Sequence, residues 1–214
     1  MIVTQVTVGP FQENCYLVSD PVTGASAIVD PGSEPEKIIA EVEKLGRDPE
    51  AIWITHAHVD HIGAVAAIKR RWNVPVYLHP LDEPLYRVGG RQAQLYGIPY
   101  EDPPAPDHWF ADGETLKLGK LELVVLHVPG HAPGHVILHG HGNAIVGDCL
   151  FAGSIGRTDL PFSNPAQLES SLKKIAALPP ETVVHPGHGP TTTIGEERLS
   201  NPFLNGTARI VRTQ

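Results

Sequence analysis

Apolar side chains recur along this chain in two rhythms. Residues 2–8, 15–19 and 25–30 are apolar in alternation or continuously, which predicts strands, and a turn at 21–24 joins the last two at an antiparallel sheet edge. Residues 35–45 change the period. Ile38, Ile39, Val42 and Leu45 fall at helical spacing there, with Ser33 as the expected cap and Gly46 as the stop. A strand at 51–54, a helix at 62–72 and a strand at 75–78 follow, so strand and helix alternate.

Between 81 and 107 this order breaks at Gly89-Gly90 and at Pro99, Pro103, Pro104 and Pro106, which predicts short helices and a mobile loop. Strands are then expected at 121–128, 136–138 and 144–146, a helix at 165–178 and a last strand at 182–184. The second half thus echoes the first. Strands in both halves with helices between them fit an α+β fold in which two sheets pack face to face under outer helices, a four-layer αββα sandwich. One mixed sheet with helices on both faces satisfies the same periodicity. At 214 residues and 41% hydrophobic content the chain can bury one substantial core, and 1–214 reads as a single domain.

Charge narrows the range of partners. A net charge of −8, with Lys69-Arg70-Arg71 as the only basic run, excludes a broad surface for nucleic acid. That triplet ends an expected helix, where it complements the helix dipole. An acidic chain can still take an anionic small molecule if a few cations and metal ions dominate the pocket. No apolar run approaches the roughly twenty residues of a membrane helix, and Met1-Ile2-Val3-Thr4-Gln5 is not a leader, so a soluble cytoplasmic protein without membrane contact is expected. Cys15 and Cys149 are too few for a disulfide framework and read as buried thiols. Monomer and homo-oligomer both stay open.

The chemistry begins at Thr55-His56-Ala57-His58-Val59-Asp60-His61, directly after an apolar run. Imidazole with carboxylate suits zinc first, with iron or manganese as alternatives, and residues two apart on an extended segment face the same way. Twelve histidines make chance clustering the alternative. Against it, His131, Asp148 and His188 each follow an apolar run and border glycine or proline, so packed strand ends can bring them to the same rim. Seven ligands exceed one tetrahedral ion. They suit two divalent ions: His56, His58 and His131 around the first, Asp60, His61 and His188 around the second, and Asp148 bridging. Paired ions of this kind generate a bridging hydroxide at neutral pH and polarise an electrophile beside it.

These motifs, together with Val128-Pro129-Gly130-His131-Ala132-Pro133-Gly134-His135, Gly147-Asp148 and Pro186-Gly187-His188-Gly189-Pro190, resemble the metallo-β-lactamase superfamily in content and order. Within it the chain is most similar to the type II glyoxalases, the hydroxyacylglutathione hydrolases, in their short single-domain form. The resemblance implies the αββα fold, the same ligand set, and hydrolysis of a thioester such as S-lactoylglutathione, with Asp60 orienting the hydroxide. It counts against antibiotic hydrolysis, since true lactamases lack the acid bridging the metals. It also implies that Arg157 contacts the substrate's glutathione moiety, with an ion pair to Asp159 as the alternative. The family's tyrosine stands replaced by Asp159, a second by Pro190, and the group's long helical C-terminal domain has no counterpart. Flavodiiron-type members usually carry glutamate where this chain has His58, and the nucleases append binding segments not evident here.

The runner-up is the persulfide dioxygenase branch, which resembles the chain at Gly156-Arg157-Thr158-Asp159 and uses one iron held by the counterparts of His56, His131 and Asp148. A closed, non-enzymatic metal site is a third class. His79, His127, His135 and His185 are expected to support the site rather than coordinate, and His108, His139 and His141 to lie at the surface. Cys149 is expected to point away from the metals that Asp148 faces.

Overall fold

The expected alternation becomes two mixed sheets of six strands each in a computed structural model that describes residues 1–210. In the first sheet β1 (Ile2–Val8), β2 (Glu13–Ser19) and β3 (Ser26–Val29) are antiparallel, and β4 (Pro49–Trp53), β5 (Val76–Leu78) and β6 (His108–Trp109) continue parallel to β3. The second opens with an antiparallel meander of β7 (Thr115–Leu118), β8 (Leu121–His127), β9 (Val136–Gly140) and β10 (Asn143–Gly147). A small hairpin of β11 (Leu150–Phe151) and β12 (Ser154–Ile155) follows, then β13 (Val183–Pro186) parallel to β10, and β14 (Thr192–Thr193). The helices are α1 (Pro35–Leu45), α2 (Val59–Ile62), α3 (Val65–Trp72), α4 (Glu83–Arg87), α5 (Gly89–Tyr96), α6 (Pro165–Ala176) and α7 (Ile194–Ser200).

The layers follow from side-chain alternation. Tyr16 and Val18 of β2 pack with Val29 and Trp53 against Leu123, Val125, Leu138 and Ile145 of the other sheet. Leu17, between them in sequence, points the opposite way and joins Ile28 and Ile52 under Ile38, Val42 and Ile68 of α1 and α3. Ile137, Val146 and Val184 likewise leave the inter-sheet core to meet Leu168, Leu172 and Ile175 of α6 and Ile194 of α7. Three apolar clusters between four layers give the αββα sandwich and exclude the single mixed sheet.

Local chemistry explains the helix ends, with two departures from expectation. Helix α6 starts as Asn164 accepts from the amides of Ala166 and Gln167, with Pro165 at its first turn. At α1 the capping position is Glu34, left-handed at φ 47°, with no side-chain cap, and not Ser33; its carboxylate instead accepts from Gly9 N at 2.7 Å. The helix expected at 62–72 begins at Val59 and divides at Gly63-Ala64. The chain after β3 passes so close that a Cβ on Gly63 would lie 2.4 Å from the Gly32 carbonyl oxygen, and Ala64 N donates to Pro31 O there. The segment expected as a mobile loop is tied at several points: Tyr86 Oη donates to Pro104 O, Arg70 pairs with Glu101, and Asp107 takes both Lys69 Nζ and Val76 N. Among the described residues no helix is long and apolar enough to cross a membrane. Cys15 and Cys149 are free and buried.

Strand direction then gathers the chemistry. Because β8, β10 and β13 run the same way, their C-terminal ends share one rim. The other sheet is stitched to that rim: Val136 N donates to Thr55 O at 2.9 Å, Asn14 N to Gly187 O at 2.7 Å, and Tyr16 Oη to Pro186 O at 2.7 Å.

Candidate metal centre

All seven side chains expected to coordinate meet at this rim. His56 and His58 come from the loop after β4, Asp60 and His61 from the single turn of α2, and His131, Asp148 and His188 from the loops after β8, β10 and β13. Donor atoms of His56, His58 and His131 lie within 4.8 Å of one another, as do those of Asp60, His61 and His188. Asp148 stands between the trios. Its Oδ1 is 3.4 Å from His61 Nε2, and its Oδ2 is 3.5 Å from His131 Nε2 and 3.6 Å from His188 Nε2.

The outward nitrogens are held by partners that set which nitrogen is free. His131 Nδ1 donates to Arg157 O at 2.8 Å and His188 Nδ1 to Phe11 O at 3.1 Å, since carbonyls only accept, leaving each Nε2 facing inward, where that of His131 meets His58 Nδ1 at 2.9 Å. Thr55 Oγ1 gives its one proton to Asp30 and so accepts from His56 Nδ1 at 3.1 Å. His61 Nδ1 meets Asp30 Oδ2 at 3.0 Å. The result is a set of inward ligand atoms that make no hydrogen bond among the described residues: His56 Nε2, His61 Nε2 and Asp148 Oδ1 are buried, the last two facing each other at 3.4 Å. Such orphaned donors are costly unless something binds them, and imidazole nitrogen with carboxylate oxygen is a divalent-ion donor set. The residues fit metal.

Electrostatics divides the trios. Burial first, with crowding by neighbouring imidazoles, pulls His56 well below its ordinary pKa and His58 down to about 3. Burial also lowers His131. These rings are neutral, as coordination requires. At His61 burial is outweighed by Asp148 and Asp60, which hold it well above the ordinary value, and at His188 by the hydrogen bond to Asp60 together with Asp148. Burial of Asp148 is in turn outweighed by His61, His131 and His188, which keep it ionised. Two carboxylates at the centre call for positive charge.

Residues that sequence reasoning passed over complete the floor. Asp30 accepts from Thr55 N and from Thr55 Oγ1 as well as meeting His61. Buried Asp82 accepts from Ala57 N at 2.8 Å and from Gly134 N, clasping the loops that carry His58 and His131. Glu13, 1% exposed, makes no hydrogen bond through either carboxylate oxygen among the described residues, and its Oε1 lies 3.8 Å from His61 Nδ1. Glu13 lies two residues before the strand expected at 15–19, so the sequence carried no signal for it. His135, expected to support, stacks on His56 at 4.7 Å and accepts from Asp148 N at 3.0 Å. Cys149 turns away, towards Val128 O and His135 Nδ1. The guanidinium of Arg157 is engaged by both oxygens of Asp159 at 2.8 Å, the pairing that sequence reasoning ranked below a substrate contact. It nevertheless lines a cavity of about 590 Å³ that opens onto His58, Asp60, His131, Asp148 and His188.

Fold and site together define a metal-ligating αββα sandwich with its reactive groups at strand ends. The chain belongs to the metallo-beta-lactamase superfamily, whose sequence profile matches residues 8–188. It is 42% identical over 205 residues to hydroxyacylglutathione hydrolase GloC of Haemophilus influenzae, an alignment covering 94% of this chain and 96% of that one. TTHA1623, solved in a di-iron-bound form, superposes with a TM-score of 0.88 at 48% identity over 94% of this chain and 100% of its own. The B3 metallo-beta-lactamase BLEG-1 superposes at 0.90 with 38% identity, over 96% and 100%.

Proposed function

We propose that the protein is a metal-dependent thioester hydrolase of the hydroxyacylglutathione hydrolase type. The observation that carries this reading is the position of Asp148 between two trios of inward-facing donors, supported by the likeness to GloC. His56, His58 and His131 would hold one ion, Asp60, His61 and His188 a second, and Asp148 would contact both. When bound, two divalent ions, zinc or else iron or manganese, supply a hydroxide nucleophile at neutral pH and offset negative charge developing on a carbonyl oxygen.

The chain's own residues do the rest. Asp60, fixed by His188 Nε2 at 3.3 Å, faces the cavity and orients the attacking water by accepting its proton at a carboxylate oxygen. His61, held from behind by Asp30, and His188, held by Phe11 O, flank Asp60 and Asp148 and fix how their carboxylates point. Thiolates leave without a strong general acid, since a free thiol ionises near pH 8.5, so none needs to stand opposite Asp60. Arg157, released from Asp159, would meet an anionic group of the substrate at the cavity mouth.

Metal analysis and turnover test this together. Two ions per chain and hydrolysis of S-lactoylglutathione, both lost in His56→Ala and Asp148→Ala, are expected; variants that hydrolyse it normally would overturn the ligand assignment. One iron per chain with oxygen uptake on glutathione persulfide would replace the reading by a persulfide dioxygenase. The likeness to BLEG-1 motivates a second reading, β-lactam hydrolysis. A β-lactam turned over faster than any thioester would establish it.

A further inference from the structure

Among the imidazoles at the centre, His135 joins neither trio of ligands, yet it touches His56 of the first trio and Asp148 between the two. Its ring face stacks on His56 at 4.7 Å, with the planes 19° apart. Its edge takes the backbone of Asp148, whose amide donates to Nε2 at 3.0 Å.

Every proton in this contact has a fixed place. An amide only donates, so Nε2 is bare and the ring is neutral, with its hydrogen on Nδ1. Nδ1 faces Cys149 Sγ at 3.3 Å, and the sulfur therefore accepts. The thiol's own hydrogen goes to Val128 O at 3.4 Å, since a carbonyl only accepts. Val128 N in turn donates to His135 O at 2.8 Å, which closes the circuit. His135 and Cys149 are both fully buried, so water does not compete for these groups.

The circuit acts on the peptide unit that leads into Asp148. Gly147 is left-handed at φ 48°, and Thr55 Oγ1 and His135 Nε2 pack so closely on it that a Cβ there would lie 2.4 and 2.8 Å from them. The carbonyl of that unit, Gly147 O, accepts from Gly187 N at 2.8 Å, while its amide, Asp148 N, is held by His135. A planar unit gripped at both ends cannot tip. The Cα that carries the carboxylate between the trios is thereby fixed.

We propose that His135 and Cys149 form a positioning pair: through the Asp148 amide they set where the Asp148 carboxylate stands between the two trios, and neither coordinates an ion. The proposal rests on the reading of Asp148 as the contact shared by both ion sites. Cys149 serves as a hydrogen-bond acceptor for His135 and not as a nucleophile or a ligand. A hydroxyl can take its place, and a hydrocarbon cannot.

Two measurements on the zinc-loaded protein test this without turnover. Long-range proton–nitrogen NMR of the imidazole rings should find His135 protonated at Nδ1 and bare at Nε2; a proton on Nε2 overturns the proposal. Chelator competition reads the second arm. Cys149→Val offers His135 no acceptor and should weaken zinc binding about tenfold, whereas Cys149→Ser should stay within about twofold of wild type. Hydrolysis of S-lactoylglutathione adds a third readout, in which kcat falls about tenfold in Cys149→Val with KM unmoved and recovers in Cys149→Ser. A pair that serves only the fold would lower the unfolding midpoint of Cys149→Val and leave zinc affinity and kcat unchanged. That outcome sinks the proposal, as does a serine variant no better than the valine one. Should Cys149→Val not fold, Cys149→Ala carries the same expectations. If no thioester is hydrolysed, the thioesterase reading fails, while the His135 tautomer and the zinc affinities still decide the positioning pair.

Discussion

At the floor of the cavity, four inward-facing imidazoles have their other nitrogen held by Thr55, Asp30, Arg157 O and Phe11 O, while at the rim the guanidinium of Arg91 has no partner among the described residues and Leu95 is 84% exposed. The floor spends its polar groups on orienting one another and leaves a few lone pairs over. Its geometry is therefore set before any ligand arrives, which is what coordination within tenths of an ångström needs. The rim keeps its groups uncommitted, so it can discriminate among substrates at little cost to the centre. One element belongs to both: loop residue Arg157 orients His131 through its carbonyl and faces the cavity with its side chain.

The sharpest way to break this contrast is to discharge the floor without changing its shape. Asp148→Asn should lower kcat about a hundred- to a thousandfold, read by steady-state hydrolysis alongside metal content per chain. Asp30→Asn touches no ion directly but turns an amide towards His61 Nδ1. Chelator competition should show metal affinity falling about ten- to a hundredfold, with an unaltered circular dichroism spectrum.

Asp82 tests whether the floor also supports the fold. Replacing it by Asn leaves one of the two amides of Ala57 and Gly134 without an acceptor, at a cost of about 1–3 kcal/mol in denaturant unfolding. Burial, working against those two amides, pushes the Asp82 carboxyl up to about 6. A raised acid binds its proton more tightly when folded, so its contribution is complete below the unfolded value of about 3.9 and is lost as pH rises through 6. The gap between wild type and Asp82→Asn should therefore shrink between pH 4.5 and 7.5; a widening gap would mean that the ionised form is the stabilising one. The smallest effect belongs to the rim. Asp159→Asn frees Arg157, and KM for an anionic thioester should fall about two- to fivefold, with kcat unmoved.

Periodicity made most of the fold legible. Strand β1 and helix α1 carry the bounds expected from spacing alone, because each shows several turns or alternations of one period. Strands β6, β11, β12 and β14, of two residues each, were invisible, since two residues have no period. Helix α2 was missed for a related reason: four residues, with a histidine at the cap and no capping side chain, give no helical signal. The choice of two sheets over one depended on Tyr16 and Leu17 entering different clusters, which composition does not encode.

The centre divides in the same way. Short strand-end loops in which histidine and aspartate stand beside glycine or proline are local patterns, and the spacing of His56, His58, Asp60 and His61 already aims side chains at a shared point. Asp30 and Asp82 had no such mark, because their partners Thr55 and Ala57 each stand 25 residues away and Gly134 is 52 from Asp82. The chain's own order of residues thus settles which groups can bind metal and which segments carry them, through rules that act over a few residues. Which nitrogen of each imidazole points inward, which acid stands between the trios, and whether an arginine at the rim is paired or free depend on contacts between distant segments, and these arise only when the two sheets pack and their strand ends meet.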